Sequence, residues 1–148
     1  YNMFNRWIEE DNLLDTLEDL GVGSIAFTPL AQGMLTKKYL NGVPNDSRAM
    51  QGKSLDRNKI KPELIEALNK LNTIASSRGQ SLAQMALAWV LRGGRVSTAL
   101  IGASKSEQVL DCVGAIENLN FTEDELSKID RLSGDLGINL WAASSEIL

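Results

Sequence analysis

The end of the apolar run VSTALI and the residues that follow it form a segment with side chains suited to binding a phosphate group. It reads IGASKSEQ, and it places Gly102, the Ser104 hydroxyl and Lys105 at the expected start of a helix, with Gln108 one turn further on. Unpaired N–H groups and the positive end of the helix dipole attract anions there, and a lysine adds a full positive charge. The residues alone leave two interpretations open: a phosphate site, and an ordinary helix cap beside an exposed lysine.

A second segment with polar groups follows the apolar run SIAF. It reads AFTPLAQGMLTKKY, and its candidate polar residues are Thr28, Gln32 and Lys38. Gly33 permits a positive φ or a close approach of the backbone to a ligand. Phe27 offers a flat face, although the alternation of side chains along a strand also allows its ring to face the core. The alternative interpretation of this segment is a plain turn between a strand and a helix.

Arg48 lies in a polar, turn-rich segment, residues 40–61, that we expect to be a long loop with at most a short helical turn. A loop of this length is uncommon in a compact domain unless it is functional or mobile. Taken alone, Arg48 is a solvated arginine. Together with Lys105 it would hold a further phosphate, because a guanidinium group matches the geometry of phosphate oxygens.

Other residue types with catalytic potential are absent or point to structural roles. The sequence has no histidine, so the commonest general base and metal ligand is missing. Cys112 is the single cysteine, and we expect it to be a small buried residue within a helix rather than a nucleophile. Glu9, Glu10 and Asp11 are expected to form the solvated start of a helix. We predict no metal site, and no GxGxxG motif or P-loop occurs.

The composition is that of a soluble globular chain long enough for one domain. Of the 148 residues, 43% are apolar and 23% are charged, with a formal net charge of −4. A net negative charge argues against nucleic acid or a membrane surface as the main partner. One cysteine excludes an intrachain disulfide and the N-terminus lacks a signal-peptide layout, so we expect a cytoplasmic location. The first residue is tyrosine, so we expect the chain to be a piece of something longer.

Helices and strands are expected to alternate along the chain. Hydrophobic spacing and end signals predict helices at 6–20, 62–77, 82–91, 104–119 and 122–132. Runs rich in β-branched and aromatic residues predict strands at 24–28 and 96–101. Capping patterns at Ser81, Ser104 and Thr122, each with Glu or Gln three residues later, mark the starts of the last three helices. Strands that alternate with helices pair in parallel through right-handed crossovers.

Together these segments resemble the C-terminal half of an aldo-keto reductase. The resemblance is carried by Tyr1-Asn2 and by GVGSIAFTPLAQGMLT, NGVPNDSR, RGQSLAQMALAWVLR, VSTALIGASKSEQV and INLWAASS. It spans nearly the whole chain and lies closest to bacterial glyceraldehyde-3-phosphate-type reductases and potassium-channel beta subunits. The fold that it implies is α/β, the C-terminal portion of a (β/α)8 TIM barrel, with parallel barrel strands 7 and 8 and about five helices. Residues 1–148 would then form an incomplete domain that lacks its N-terminal half.

The resemblance also implies an NADP(H) site at the two strand ends, because TIM barrels commonly bind phosphate through the loops after strands 7 and 8. In that site Phe27 takes the place of the ring that stacks on the nicotinamide. The residues expected along the pyrophosphate are Thr28, Pro29, Leu30, Gln32, Gly33 and Lys38. Those expected around the 2′-phosphate are Arg48 and Lys105, with Ser104 and Gln108 beside them, and Gly102 is a further cofactor-binding residue. The sequence departs from the family pattern at Lys37, where glycine is usual, and at Cys112, where an asparagine usually lies near the adenine.

The family's catalytic Asp, Tyr, Lys and His lie in the first half of the barrel, so the resemblance assigns no catalytic residue to this chain. It implies the NADP(H)-binding half of an oxidoreductase that reduces aldehydes or ketones by hydride transfer, and we predict that this chain alone is inactive. A non-catalytic binding or regulatory module like the channel beta subunits is the alternative, and a truncated piece without its own function is a third. The implied partners are a small carbonyl substrate and the N-terminal barrel half. Two strands cannot close a barrel, so the lone chain is expected to form a homo-oligomer, swap or rearrange its strands.

Overall fold

The computed structural model describes residues 1–44, 60–134 and 136. In chain order the regular elements are α1 (Trp7–Glu10), α2 (Leu13–Asp19), β1 (Ile25–Phe27), α3 (Pro62–Ser77), α4 (Leu82–Leu91), β2 (Thr98–Leu100), α5 (Ser106–Val113) and α6 (Glu123–Leu132). Short 3-10 turns lie at Ala31–Gly33, Lys37–Tyr39, Arg92–Gly94 and Gly114–Glu117. Among the residues that the structure describes, no helix is both long enough and apolar enough to cross a membrane.

The two strands pair in parallel, as the alternation of elements predicts. Ile25 lies opposite Thr98 and Phe27 lies opposite Leu100. Each strand has three residues, fewer than the sequence pattern predicts, although the Ser24 carbonyl oxygen extends the contact by accepting from the Thr98 N–H at 3.1 Å. Because the register is parallel, the carboxyl ends of both strands meet at one edge of the sheet. The loops that carry the predicted site residues therefore start side by side.

Helix α4 forms the centre of the core. Eight of its ten residues are buried, which confirms the prediction from its nearly uniform apolar sequence. The Ser81 hydroxyl accepts from the Gln84 N–H at 3.1 Å, and the Gln84 side chain accepts from the Ser81 N–H at 2.9 Å. This reciprocal cap is the predicted capping box. Helix α4 packs against α3, α5 and β2, so it joins the sheet to both flanking helices.

Helix α6 is joined to the end of α3 by one arginine. Arg78 at the C-cap of α3 has 3% of its side chain exposed and pairs with Glu125 of α6 at 2.8 Å. Its guanidinium carbon also lies 3.7 Å from the ring centroid of Phe121. Thr122 and Glu125 form the predicted capping box. Phe121 and Leu126 are both partly buried against the core, where a hydrophobic staple places them.

The predicted first helix, residues 6–20, is wrong because the structure breaks it into α1 and α2. Asn12 lies between them with φ 54°, the left-handed conformation that asparagine tolerates better than most residues. The described residues consequently hold six α-helices where about five were predicted. The apolar spacing continues across this break, and for that reason periodicity does not reveal it.

The predicted helix over residues 104–119 is also shorter than expected. Helix α5 ends at Val113, and a 3-10 turn follows from Gly114. A Cβ atom at Gly114 would lie 2.6 Å from the Gln84 side-chain nitrogen, so α4 packs closely against this end. The predicted capping box at Ser104 and Glu107 is wrong as well. Gln108 makes the cap instead, since its side-chain oxygen accepts from the Ser104 N–H at 2.8 Å.

Candidate functional site

The loop that follows β1 has an unusual backbone. Thr28, Ala31 and Gln32 have φ values of 51°, 48° and 58°, and Gly33 has φ 93°. Non-glycine residues seldom adopt this left-handed region, and a β-branched residue such as Thr28 does so least readily. Backbone strain of this kind persists only where the surrounding structure enforces it, and it is concentrated at binding and catalytic sites.

Hydrogen bonds within the loop contribute to this conformation. The Thr28 carbonyl oxygen accepts from the Ala31 N–H at 2.9 Å, and the Leu30 carbonyl oxygen accepts from the N–H groups of Gly33 and Leu35 at 2.9 and 3.2 Å. Pro29 is buried, and Leu30 packs against the core. The loop is therefore anchored by its apolar side chains, and its backbone is the part that can face a ligand.

Phe27 lies on the open face of the two-stranded sheet. Its side chain is 50% exposed, whereas Ala26 is 7% exposed and faces the helices. The alternative that the Phe27 ring faces the core is wrong for this structure. Ile25 and Leu100 share the open face with Phe27, and both are exposed. A flat ring, flanked by aliphatic side chains, thus lies exposed at the strand ends.

Gln32, Gly33 and Lys38 lie on the same loop and its continuation. The Gln32 side-chain oxygen is buried without a hydrogen-bond partner among the described residues. The Gly33 carbonyl oxygen accepts from the Thr36 hydroxyl at 2.7 Å, and the Thr36 hydroxyl accepts in turn from the Lys38 N–H at 3.2 Å. This short cap orders the turn that carries Lys38, whose side chain is exposed.

The second strand end forms an exposed loop from Gly102 to Lys105. The Gln108 side-chain oxygen accepts from the N–H groups of Ser104 and Lys105 at 2.8 and 3.3 Å, and the Ser104 hydroxyl lies 3.3 Å from the same oxygen. Gln108 therefore orders the residues that precede α5. A Cβ atom at Gly102 would meet nothing within 4 Å, so packing does not require glycine there.

The parallel register brings these two loops together, and both carry positive charge. Lys38 and Lys105 form no salt bridge with any residue that the structure describes. Arg48 lies outside the described residues. An exposed ring, a constrained backbone loop and two unpaired ammonium groups fit a ligand that combines an aromatic ring with phosphate groups. Within the described ranges, no group of three or more His, Cys, Asp or Glu side chains is arranged to hold a metal ion.

A polar cluster that the sequence does not predict lies beside this site. We define it as Tyr1, Arg6, Glu9 and Arg92. Arg92 and Arg6 pair with the Glu9 carboxylate at 2.6 and 2.7 Å, the Tyr1 hydroxyl donates to the same carboxylate, and Arg92 donates to the Tyr1 oxygen at 2.9 Å. The expectation that Glu9 belongs to a solvated helix start is wrong. Arg92 is distant from the others in the sequence, so no local pattern marks this cluster.

Burial and hydrogen bonding oppose each other in the polar cluster. Burial acts to raise the pKa of Glu9, but hydrogen bonds from Tyr1, Arg6 and Arg92 outweigh it and leave that pKa below its usual value. Burial is the main cause that raises the pKa of the Tyr1 hydroxyl, which stays protonated. The guanidinium carbons of Arg92 and Arg6 lie 3.8 and 5.0 Å from the ring centroid of Trp89. The cluster therefore ties the first residues of the chain to the buried centre of α4.

Cys112 lies on α5, partly buried and with a free thiol. Burial and the neighbouring Asp111 carboxylate raise its pKa, so the thiolate is disfavoured. This agrees with a structural residue rather than a nucleophile.

Comparison with known proteins gives a consistent family assignment. The family model described as the aldo/keto reductase family matches residues 1–133. L-glyceraldehyde 3-phosphate reductase of Escherichia coli (strain K12) is 51% identical over 150 residues, which cover 99% of this chain and 43% of that protein. A probable voltage-gated potassium channel subunit beta of Oryza sativa subsp. japonica is 35% identical over 134 residues, which cover 88% of this chain and 41% of that protein.

Solved structures show the same architecture. A glycerol dehydrogenase from Gluconobacter oxydans matches with a TM-score of 0.72 at 29% identity, covering 94% of this chain and 42% of that one. A thermostable aldo-keto reductase, Tm1743, matches with a TM-score of 0.59 at 23% identity, a likeness that shows the fold alone. These neighbours are TIM-barrel proteins, and two parallel strands with their helices are consistent with part of such a barrel. The chain spans less than half the length of the relatives that it matches.

Proposed function

The chain belongs to the aldo/keto reductase family, and from that premise we propose that it forms the NADP(H)-binding part of an oxidoreductase acting on aldehydes or ketones. The observation that supports this most directly is the pairing of Phe27 with Leu100 in a parallel register. That pairing places the strained loop after β1 beside the exposed loop that precedes α5. Both loops then line one end of the sheet, where ligands bind in parallel α/β folds.

We assign the nicotinamide, the pyrophosphate and the 2′-phosphate of the cofactor to described residues. The exposed Phe27 ring would stack on the nicotinamide, and the backbone of residues 28–33, with Lys38, would follow the pyrophosphate. Lys105 would bind the 2′-phosphate that distinguishes NADPH from NADH, with Gly102, Ser104 and Gln108 ordering its loop. Arg48 remains a predicted second ligand of that phosphate. When bound, the cofactor supplies the hydride that is transferred to a carbonyl carbon.

The catalytic acid is not assigned to this chain. The sequence has no histidine, and the Tyr1 hydroxyl is occupied by Glu9 and Arg92. We therefore propose that the chain alone does not reduce carbonyl compounds, and that a complete barrel provides the proton donor and most of the substrate pocket. Further barrel strands would pair with the two edges of the sheet, and the exposed face that carries Ile25 and Leu100 would then line the barrel interior. In the lone chain, a second copy of the chain would compete for the position of those strands. We also predict a cytoplasmic location for the protein.

A non-catalytic module is the second candidate function. The potassium channel beta subunit of Oryza sativa matches 88% of this chain at 35% identity. This relative is named as a subunit of a channel, so the resemblance also allows a role in binding another protein. In this alternative the exposed surfaces would bind another protein, and cofactor binding would serve regulation instead of turnover.

Calorimetric titration of the purified 148-residue chain with NADPH and with NADH tests the main proposal. We expect tighter binding of NADPH and no oxidation of it in the presence of a reactive aldehyde. Absence of binding would overturn the cofactor proposal, and turnover of the aldehyde would overturn the predicted inactivity. Recovery of a stable complex with a protein other than an aldo/keto reductase barrel half would favour the non-catalytic module.

A further inference from the structure

Asn2 is buried next to the strained loop that follows β1. Only 4% of its surface is exposed. Its side-chain nitrogen donates to the Thr28 carbonyl oxygen at 3.0 Å, and its side-chain oxygen accepts from the Phe4 N–H at 2.9 Å. Because the amide nitrogen faces an acceptor and the amide oxygen faces a donor, the orientation of the amide is fixed. Both ends of this side chain are therefore used to join the first residues of the chain to the loop.

The backbone of Asn2 is held as firmly as its side chain. Its N–H donates to the Asn5 carbonyl oxygen at 3.1 Å, and the Asn5 N–H donates back at 3.0 Å. The preceding residue, Tyr1, donates from its backbone nitrogen to the Phe27 carbonyl oxygen at 3.4 Å. The Tyr1 side chain is anchored in the polar cluster. Asn2 thus sits on a rigid turn, and its contact with Thr28 is pre-organised.

Thr28 is the residue at which this contact has most effect. It is β-branched and has φ 51°, a combination that the isolated chain disfavours. Its carbonyl oxygen accepts two hydrogen bonds, one from Asn2 and one from the Ala31 N–H at 2.9 Å. Only the first comes from outside the loop. Without it, the Thr28 peptide would turn back towards the extended conformation that its side chain prefers.

We propose that Asn2 is a positioning residue, which holds the Thr28 carbonyl and thereby sets the shape of the loop that receives the pyrophosphate. The inference rests on the proposed cofactor function for its effect on binding. The hold on the loop itself is a separate property and is measured without ligand. Asn2 would touch no reacting atom, and it acts through Thr28 alone.

The variant Asn2→Asp tests the proposal with the least change of shape. It keeps the oxygen that accepts from Phe4 and replaces the donor to Thr28 with a carboxylate oxygen. Hydrogen exchange by NMR on the full 148-residue chain would follow the N–H groups of Ala31, Gly33 and Leu35. We expect about tenfold faster exchange there, the change that loss of one net hydrogen bond produces. The amide of Trp89 in the core reports global opening and should change less.

Ser81→Ala is the matched control, because it removes a helix-cap hydrogen bond at α4 rather than at the loop. It should leave exchange at Ala31, Gly33 and Leu35 at the wild-type rate relative to Trp89. Asn2→Ala is the second variant, which removes donor and acceptor together and does not introduce a charge. It keeps the test decisive if Asn2→Asp fails to fold.

Binding of NADP+ provides a readout that a merely structural role would not move. For Asn2→Asp we expect a Kd about tenfold above wild type at pH 7.5. Lowering the pH to 5.5 should reduce this ratio, because a buried carboxyl group that becomes protonated regains a donor for the Thr28 oxygen. The comparison is made with wild type at each pH, so titration of the ligand cancels. Asn2→Ala should show no such recovery.

The proposal would be supported if Asn2→Asp shows faster loop exchange and a larger Kd for NADP+ that approaches the wild-type value at pH 5.5. Unchanged loop exchange in both Asn2 variants, or equal acceleration in Ser81→Ala, would overturn it. Faster loop exchange with an unchanged Kd would overturn the positioning role. If wild type does not bind NADP+, the proposed function fails, and the exchange data alone decide whether Asn2 holds the loop.

Discussion

The Glu9 carboxylate lies 2.6 Å from the Arg92 guanidinium, and the two residues are 83 positions apart in the chain. Each has 23% of its side chain exposed. The pair joins α1 to the end of α4 and holds the Tyr1 hydroxyl between them. It therefore anchors the first residues of the chain, which contact the loop after β1.

Replacing Glu9 with Gln should destabilise the fold by about 1–2 kcal/mol, because charged hydrogen bonds are lost while the side-chain shape is kept. Urea unfolding measures the free energy difference from wild type. Glu66→Gln is the matched control, since Glu66 also pairs with a basic residue but lies on the exposed surface of α3. The control should leave the midpoint unchanged. Equal losses in the two variants would contradict a special role for the buried pair.

The stabilisation by Glu9 should depend on pH in a defined direction. Its folded-state pKa is lowered, so the carboxylate contributes fully above its unfolded pKa, about 4.3, and its contribution is lost as pH falls below that value. The difference in unfolding free energy between wild type and Glu9→Gln should therefore be constant above about pH 6 and shrink below about pH 4.3. Glu125, whose pKa is also lowered, is present in both proteins and cancels. A difference that grows on acidification would contradict this assignment.

Arg78 should not be replaceable by Lys. Its guanidinium stacks on Phe121 and donates to Glu125, to the Gln80 side chain at 2.9 Å and to the Asn118 carbonyl oxygen at 3.2 Å. A lysine ammonium group keeps the charge, but it does not stack on a ring and lacks the planar set of donors of a guanidinium group. We therefore expect Arg78→Lys to lower the free energy of unfolding by about 2 kcal/mol and Arg78→Ala to lower it by about 3 kcal/mol. Thermal or urea unfolding measures both losses.

Arg131→Lys is the control for Arg78, because Arg131 is exposed on α6 and donates to a backbone oxygen within its own helix. Stability should be unaffected by that change. If Arg78→Lys were equally silent, the stacked, multiply bonded geometry of Arg78 would contribute nothing beyond its charge.

Lys105→Ala should separate the two nicotinamide cofactors. If Lys105 binds the 2′-phosphate, NADPH affinity falls about tenfold while NADH affinity stays the same. Calorimetric titration measures both constants. Lys70→Ala, at an exposed lysine on α3, is the control and should leave both unchanged. An equal loss of affinity for NADPH and NADH would show that Lys105 contacts a part of the ligand other than the 2′-phosphate.

Phe27→Ala should weaken cofactor binding about tenfold, because a ring stack contributes about 0.5–1.5 kcal/mol beyond its buried area. Phe27→Tyr keeps the ring and should bind almost as well as wild type. Leu20→Ala removes another exposed apolar side chain, at the end of α2. It serves as the control in the same titration. A tenfold loss in Phe27→Tyr would argue against stacking as the reason for the effect.

Local signals account for the parts of the fold that were predicted well. Helix α3 begins at Pro62 and ends at Ser77, the predicted bounds, because proline at the start, regular leucine spacing and Gly79 all act within a few residues. The caps of α4 and α6 also follow from residues three apart. The parallel pairing of the strands follows from the alternation of elements, which constrains connection handedness.

The predicted bounds of two helices failed where local spacing carries no signal for the end that the structure shows. At the early end of α5, Gly114 lies close to the Gln84 side chain of another helix. The break at Asn12 interrupts a periodic pattern that would otherwise continue. Periodicity and caps describe a single element and do not reveal a break within a continuing apolar pattern or a close approach between two helices.

By itself the sequence determined the type of most elements, the two loops that carry the candidate site, and the family resemblance, because these reside in local spacing and in residue identity. Only the tertiary structure decided that Phe27 faces the open side of the sheet and that Glu9 pairs with Arg92. It also decided that Asn2 donates to the carbonyl oxygen of the left-handed Thr28. Each of these relationships depends on chain segments brought together by packing, and the energy of a buried hydrogen bond or ion pair exists only once that packing has excluded water.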